Sequence, residues 1–355
     1  MNYIFQSRIF EHKAKKRLYI VTLLMIGIYI VSTYGAINMS FEEKQALNKV
    51  NAMQASLWTW LNSTPVREQA ALWAEKSGWE DVAPSQVDHR MSGLIGVEWS
   101  EITTTLGPLP LKQISTDPMW AVHILRWFDE AGLVRGDRVM IFASGSFPGF
   151  LVSALSASEI RGLKVELRVS LGASTWGANR MEAPWPLLEL RLRQAGHLQT
   201  QSRYYTPGGE DETGKNYSPE AMTVLEEASA AGGVPLLIPR DLDEIVRMKT
   251  EEIRAFGPKL LILIGGSASV MGGSDDILPA GLLMRPLDER GQGVAKEAIE
   301  DGIPILHLLN VRELSRQVNK NSNSSVRFWQ AAGLLCFFAA LFTHRRWTWS
   351  ETYLK

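Results

Sequence analysis

Three apolar segments of this 355-residue chain each run into a turn rich in serine and glycine. The turns are Ser-Gly-Ser at 144–146, Ser-Leu-Gly-Ala-Ser at 170–174 and Gly-Gly-Ser-Ala-Ser at 265–269. Helical patterns separate the segments, and strands that alternate with helices form a mainly parallel sheet. The sequence therefore predicts an α/β fold with a Rossmann-like, mainly parallel sheet and flanking helices. In such a sheet ligands bind beyond the carboxyl ends of the strands, so the three turns are expected to share one cleft.

Two further patterns bear on the architecture of this domain. Residues 164–170 alternate polar and apolar side chains, which predicts a half-exposed strand at an edge of the sheet. Residues 41–76 carry apolar side chains at three- and four-residue steps, which predicts a helix. We assign residues 38–92 to a helical stalk or cap with a loop, and residues 93–319 to the α/β domain.

The N-terminal part of the chain has the pattern of a membrane anchor. Residues 18–37 carry no charge and, as a helix, would reach roughly 30 Å, enough to cross the hydrocarbon core. Lys13, Lys15, Lys16 and Arg17 precede this segment, and Glu42 and Glu43 follow it. This asymmetry places the N-terminus, residues 1–17, in the cytoplasm. A cleaved signal peptide is the alternative interpretation.

A second uncharged segment, residues 328–343, lies near the other end of the chain. Trp329 and Trp347 stand where aromatic residues of a membrane interface are expected, which favours a second transmembrane helix over a buried terminal helix. Residues 320–327 would then be a linker and 344–355 a cytoplasmic tail. This topology predicts a protein of the cytoplasmic membrane, in contact with the lipid bilayer, whose main domain is extracytoplasmic.

Composition argues against several classes of protein. The formal net charge of −1 and the pI of about 6.6 argue against a nucleic-acid partner, which normally faces a basic surface. Cys336 is the only cysteine, so an internal disulfide framework and a cysteine zinc site are excluded. The sequence has no Walker A lysine motif and no G-x-G-x-x-G after the first strand. No cofactor and no metal are therefore predicted.

The candidate ligand-binding residues are the small and hydroxyl-bearing residues of the three turns and their neighbours. They are Thr103, Thr104, Thr105, Lys112, Ser144, Gly145, Ser146, Ser170, Ser174, Asn179, Gly265, Gly266 and Ser267. Amides and hydroxyls of this kind suit a carboxylate or a phosphate, and Lys112 is the nearest cation for such an anion. The three threonines also fit an ordinary β-strand, so a strand and a binding loop both stay open.

Catalysis and cation binding are the alternatives at these turns. Gly-Ser-Phe-Pro-Gly at 145–149 differs from the nucleophile elbow G-x-S-x-G because Phe147 stands at its centre. Ser144 and Ser146 are therefore weak nucleophile candidates, and the sequence leans away from an enzyme without excluding one. Glu210, Asp211 and Glu212 lie in a polar run whose spacing matches no calcium loop, which favours a solvated loop.

Five motifs together resemble the poly-γ-glutamate system protein family, which accompanies bacterial poly-γ-glutamate capsule synthesis and export. They are Ser-Gly-Leu-Ile-Gly at 92–96, Glu-Ile-Thr-Thr-Thr-Leu-Gly at 101–107, Ser-Thr-Asp-Pro at 115–118, Ala-Ser-Gly-Ser-Phe-Pro at 143–148 and Ser-Leu-Gly-Ala-Ser-Thr-Trp-Gly-Ala-Asn at 170–179. The resemblance covers most of residues 93–273 and includes an N-terminal anchor. It implies a pathway of the bacterial cell envelope rather than a reaction.

The sequence with this resemblance predicts a membrane-anchored accessory protein that binds the anionic polymer or a partner subunit through its cleft. The membrane subunits of the poly-γ-glutamate synthase and exporter are the implied partners. A hydrolase or transferase with a serine nucleophile and a purely structural assembly subunit are the competing hypotheses. A serine nucleophile needs a base within hydrogen-bond reach, so a histidine or lysine beside Ser144 or Ser146 would favour the enzyme.

Overall fold

A computed structural model describes residues 39–79, 82–209, 211–272, 278–284 and 293–319, together with Leu23 and Gly27. The chain divides into two compact units, Ser40–Leu314 and Met1–Met39 with Ser315–Lys355. The first unit contains all the helices and strands named below. Within the described residues no helix is both long and apolar enough to cross a membrane. The second expected span, 328–343, lies outside those residues, and so does the first, 18–37, apart from Leu23 and Gly27.

The strands of the described residues form one six-stranded sheet and one two-stranded ribbon. They are β1 (Thr103–Thr105), β2 (Arg138–Ser144), β3 (Lys164–Ser170), β4 (Ala173–Ser174), β5 (Ser202–Thr206), β6 (Leu260–Ile264), β7 (Gly281–Leu283) and β8 (Ile305–Leu308). The sheet has the order β5-β3-β2-β6-β8-β7, and β1 pairs with β4 in the ribbon. All pairs are parallel except β7 with β8. The expected mixed α/β fold with a mainly parallel sheet is confirmed.

Helices of very different length connect these strands. They are α1 (Phe41–Leu61), α2 (Thr64–Ser77), α3 (Pro84–Val87), α4 (Leu109–Ser115), α5 (Met119–Glu130), α6 (Pro148–Arg161), α7 (Trp185–Gln194), α8 (Pro219–Gly232), α9 (Leu242–Phe256), α10 (Ala268–Met271) and α11 (Gly293–Glu300). Helix α1 begins with a capping box, in which Ser40 Oγ accepts from the Glu43 N–H and Glu43 Oε2 accepts from the Ser40 N–H. Its apolar stripe packs on α5 and α6, so this segment is part of the helical layer around the sheet.

The two central strands are buried on both faces. All five residues of β6 are buried, and so is every residue of β2 after Arg138. Parallel strands that are covered by helices on both sides need continuous apolar sequences, which these two strands have. The residues of β2 and β6 pair in register from Val139 with Leu260 to Ala143 with Ile264.

Strand β3 is an interior strand, so the edge position expected from its alternating sequence is wrong. It pairs with β2 on one side and with β5 on the other. The polar positions of β3 are accommodated by ion pairs, because Arg168 contacts Glu166 at 2.7 Å and Glu252 at 3.0 Å. A buried arginine with two carboxylate partners can occupy an interior strand, and a periodicity argument does not detect such a partner.

The order of connections defines a switch point in the sheet. The chain moves from β2 outward through β3 to β5, and then crosses to β6 and β8 on the other side of β2. The connections from β2 and from β6 therefore leave in opposite directions. A crevice forms at the carboxyl ends of two such strands, and this is where ligands bind in open parallel sheets.

Candidate functional site

A cavity of about 810 Å³ lies at the carboxyl ends of β2, β3 and β6. Several of the candidate residues from the three turns and from β1 line it together. They are Thr103, Thr104, Thr105, Ser144, Ser146, Ser170, Gly266 and Ser267. The three threonines form strand β1 and also line the cavity. Five other candidates, Lys112, Gly145, Ser174, Asn179 and Gly265, are not in the lining.

Backbone hydrogen bonds between neighbouring turns hold this edge of the sheet together. The Gly145 N–H donates to the Ser170 carbonyl at 2.8 Å, and the Gly265 N–H donates to the Leu308 carbonyl at 3.1 Å. A Cβ at Gly145 would lie 2.7 Å from the Leu171 carbonyl oxygen. Glycine is therefore required there by the close approach of two backbones. The two glycines bring the hydroxyls of adjacent turns into one cavity.

Asn179 is fully buried and fixes the position of β1. Its Nδ2 group donates to Thr103 Oγ1 and to the Val97 carbonyl, both at 2.9 Å, and its Oδ1 accepts from the Val97 N–H at 2.9 Å. All of these hydrogen bonds are made to the protein itself, so this buried amide is not available to a ligand. The structure therefore places Asn179 behind the cavity wall, where it positions Thr103.

Lys112 is also buried, with 2 % of its surface exposed. Its Nζ donates to Ser174 Oγ at 2.6 Å and to the Ser146 carbonyl, and it lies 3.7 Å from the centroid of the Phe147 ring. Burial lowers the pKa of Lys112 from 10.5 to about 7. Ser174 continues this chain of contacts, because its N–H donates to Ser146 Oγ at 3.0 Å. The lysine contacts the backbone of Ser146 and the hydroxyl of Ser174.

Sequence reasoning missed part of the cavity lining. The aromatic and polar residues Trp99, Ser100, Glu101, Asn216, Tyr217 and Ser218 complete much of the wall. The Ser218 hydroxyl donates to Glu101 Oε2. The Tyr217 hydroxyl is buried and has no hydrogen-bond partner in the described part of the chain. Burial raises the pKa of Tyr217, so this hydroxyl stays protonated and can donate to a ligand.

A buried ion pair lies next to the cavity and corrects the solvated-loop interpretation for Glu212. This carboxylate is fully buried and lies 3.2 Å from Lys249 Nζ. It also accepts from the hydroxyls of Ser269 and Thr206, the latter at 2.6 Å. Burial by itself raises the pKa of Glu212, but the Lys249 ammonium and the hydroxyl donors outweigh it, so the pKa lies below the ordinary value of 4.5.

One sequence signal was available for this pair. Lys249 lies on α9 four residues from both Ile245 and Ile253, and all three side chains face the core. A lysine within an apolar stripe needs a buried anion, because an unpaired charge is not stable there. The partner, however, lies 37 residues away in a loop, and only the fold brings it near.

The described residues contain no group of three or more histidine, cysteine, aspartate or glutamate side chains that could hold a metal ion. His307 is fully buried in β8, where its Nδ1 lies 3.1 Å from the Leu278 carbonyl and 3.2 Å from the Pro279 carbonyl. Burial lowers the pKa of His307. Those contacts assign it a structural position.

The fold and the site define a class: an α/β protein with a hydroxyl-lined cavity at the switch point of a mainly parallel sheet. Comparisons with models of protein families, with curated proteins and with solved structures gave no match.

Proposed function

We propose that this protein is a membrane-anchored accessory protein of bacterial poly-γ-glutamate synthesis or export whose α/β domain binds the polymer. The observation that carries the proposal is the cavity at the ends of β2, β3 and β6, which gathers hydroxyls from separate parts of the chain. The pathway rests on the sequence resemblance. The Rossmann-like description rests on the strand order, and the anchor rests on residues 18–37 and 328–343.

The chemistry of the lining suits a polyamide that carries carboxylates. Serine and threonine hydroxyls both donate and accept hydrogen bonds, so they can pair with amide N–H groups, amide carbonyls and carboxylates. The buried Tyr217 hydroxyl adds a donor that has no described protein partner. The volume of about 810 Å³ falls within the ordinary range for ligand sites. Such a cavity receives a short stretch or an end of a polymer.

The charge of the cavity lining favours binding of the amino end of the polymer. Among the described residues of the lining, Glu101 carries the formal charge, and Lys112 lies behind the wall. A carboxylate in the cavity repels the side-chain carboxylates of an interior stretch and attracts an ammonium group. The terminal ammonium of the polymer would therefore lie at Glu101, with the hydroxyl-bearing wall facing the first amide and carboxylate groups.

Calorimetric titration with a short γ-glutamyl oligomer tests this function. Ser146→Ala and Thr104→Val each remove one hydroxyl from the lining, and each should weaken binding by about 3- to 10-fold. Thr223→Val is the matched control, because the Thr223 hydroxyl is exposed on α8, lies outside the cavity lining and donates to the carbonyl one turn earlier. Unchanged affinity in both lining variants would contradict the proposed site.

A separate comparison tests whether the cavity binds the amino end of the polymer. An oligomer with a free amino group should bind more tightly than the same oligomer after N-acetylation, and Glu101→Gln should remove the difference. Equal binding of the two oligomers to the wild-type protein would contradict this orientation. Topology is tested by adding protease to intact cells, which should cleave within residues 39–319 if the domain is extracytoplasmic.

A further inference from the structure

Among the described residues of this domain, two lysines are buried against a serine hydroxyl, and they differ in whether a carboxylate lies beside them. Lys249 Nζ lies 2.6 Å from Ser269 Oγ, and Lys112 Nζ lies 2.6 Å from Ser174 Oγ. Lys249 also forms an ion pair with the buried carboxylate of Glu212 at 3.2 Å. Within the described part of the protein, Lys112 forms no ion pair with a carboxylate.

The surroundings of Lys112 therefore favour a neutral amine. A buried lysine without a counter-ion loses the hydration of its charge, and burial is the cause that brings its pKa to about 7. A neutral lysine amine can accept a proton from a hydroxyl within about 2.6–3.2 Å, which is the reach required of a general base. The Ser174 hydroxyl lies at that distance from Lys112, whereas the Lys249 amine is paired with the Glu212 carboxylate.

We propose that Lys112 and Ser174 form a serine–lysine catalytic dyad that cleaves or transfers an amide-linked acyl group of the chain held in the cavity. Ser174 is the nucleophile and Lys112 is the general base. The substrate class, a polyamide, rests on the function proposed above. The dyad itself rests on the 2.6 Å contact and on the lack of a described counter-ion, which are independent of the identity of the polymer.

The reaction balances with water or an amine as the second reactant. Ser174 Oγ bonds to the amide carbonyl carbon while its proton passes to the neutral Lys112 amine. The carbon–nitrogen bond then breaks, and the Lys112 ammonium returns the proton to the leaving nitrogen. Water attacks the resulting ester in hydrolysis, or another amine attacks it in transfer, and each step regenerates the serine hydroxyl.

Ser174 lies immediately behind the cavity lining. It is 6 % exposed, its N–H donates to Ser146 Oγ, and it pairs in the ribbon with Thr105. Thr105 and Leu106 are exposed. The dyad requires this stretch to move aside so that Ser174 reaches the cavity. Gly107 leaves room at the pair, because a Cβ there would lie 3.4 Å from Ser174 Oγ and 3.2 Å from Lys112 Cε.

A fluorophosphonate probe, which reacts covalently with activated serine hydroxyls, tests the dyad in the full-length protein. Peptide mass spectrometry of the wild-type adduct should place the probe on Ser174. The rate should rise with pH through about 7, because the base acts in its neutral form. Lys112→Met should lower the rate by about 10²- to 10⁴-fold. Lys164→Met, an exposed lysine at the amino end of β3, is the matched control and should react like the wild type.

Peptide mass spectrometry of the adduct uses the wild-type protein, so it tests the dyad even if Lys112→Met does not fold. A probe attached to Ser144 or Ser146, or no adduct on Ser174, would overturn the dyad. Failure of the dyad is distinguishable from failure of the proposed function. Calorimetric binding of the γ-glutamyl oligomer without an adduct leaves the binding function intact, and an adduct on Ser174 without oligomer binding leaves the dyad with another amide as substrate.

Discussion

Gly265 faces Ser144 across the switch point so closely that a Cβ on the glycine would lie 2.1 Å from Ser144 Oγ. Gly265 also has a φ of +80°, a conformation that glycine adopts readily and other residues rarely adopt. The end of β6 can therefore approach the end of β2 only because this position has no side chain. The closeness of these two turns shapes the cavity.

Gly265→Ala should lower the free energy of unfolding and weaken oligomer binding. The φ value alone costs about 1–3 kcal/mol with a side chain, and the contact with Ser144 adds to it. Gly136→Ala is the matched control, because Gly136 has a φ of +88° and no heavy atom within 4 Å of the added Cβ. Urea unfolding should show the larger loss for Gly265→Ala, and equal losses would contradict the steric argument.

The double variant Ser144→Ala with Gly265→Ala separates the contact from the backbone strain. Removal of Ser144 Oγ leaves Ser144 Cβ at 3.3 Å as the nearest remaining side-chain atom. The double variant should therefore regain part of the stability that Gly265→Ala loses. Strictly additive losses in the two single variants would exclude an interaction between these positions.

Replacement of Glu212 by glutamine should destabilise the domain by about 3–5 kcal/mol, because Lys249 is left as a buried charge without its partner. Urea unfolding at neutral pH measures this loss. Glu244→Gln is the control: Glu244 pairs with Arg240 on the surface, and its replacement should change the midpoint little. A loss of similar, small size in both variants would contradict the role of the buried pair.

The Glu212 pair also predicts an acid dependence. The pKa of Glu212 is lower in the folded protein than its ordinary value of 4.5, so the folded state releases this proton more readily than the unfolded chain. Its stabilising contribution is complete above pH 4.5 and disappears as the pH falls through the folded pKa. The wild type should lose stability more steeply than Glu212→Gln below pH 4.5, as measured by urea unfolding at several pH values.

Lys112 predicts a dependence in the same direction, but in a higher pH range. Its folded pKa of about 7 lies below 10.5, so the unfolded chain binds more protons between these values and stability rises with pH. The rise is at most about 1.4 kcal/mol per pH unit. Urea unfolding between pH 7 and 9 should show this rise in the wild type and in Lys164→Met. The same rise in Lys112→Met would show that another group causes it.

Tyr217→Phe should weaken oligomer binding by about 3- to 10-fold while it leaves the stability of the free protein unchanged or slightly higher. The hydroxyl is buried without a described partner, so its removal breaks no bond in the free protein. Tyr205→Phe is the control, since its hydroxyl is likewise buried but is not part of the cavity lining. Loss of affinity in both variants would indicate a general packing effect.

The architecture was largely predictable from local sequence. The apolar residues of β2 and β6 are continuous because helices cover both faces of these strands, and that requirement is visible in the sequence itself. Strand β3 was misplaced at an edge because Arg168 is neutralised by Glu252, whose position on α9 depends on the fold. The alternation of polar and apolar residues along a strand does not show which charged residues from distant parts of the chain will pair.

The candidate site was also predictable in part, because some of its residues belong to patterns that are visible in the local sequence. Serine and glycine at three strand ends place Ser144, Ser170 and Ser267 at one edge of a parallel sheet, whatever the remaining details. Glu101 and Tyr217 reach the same cavity from segments with no such signal, so sequence reasoning missed them. The sequence also placed Glu212 in a solvated loop, and the fold buries it.

The sequence by itself determined the alternation of strands and helices, the small residues at the strand ends and the uncharged terminal segments, because these depend on residues close together in the chain. Only the tertiary structure decided which polar groups meet. Lys112 and Ser174 are 62 residues apart, and Lys249 and Glu212 are 37 apart. Folding brings both lysines to a serine, but within the described residues it gives a buried counter-ion only to Lys249, and that difference in surroundings sets the chemistry proposed for Lys112.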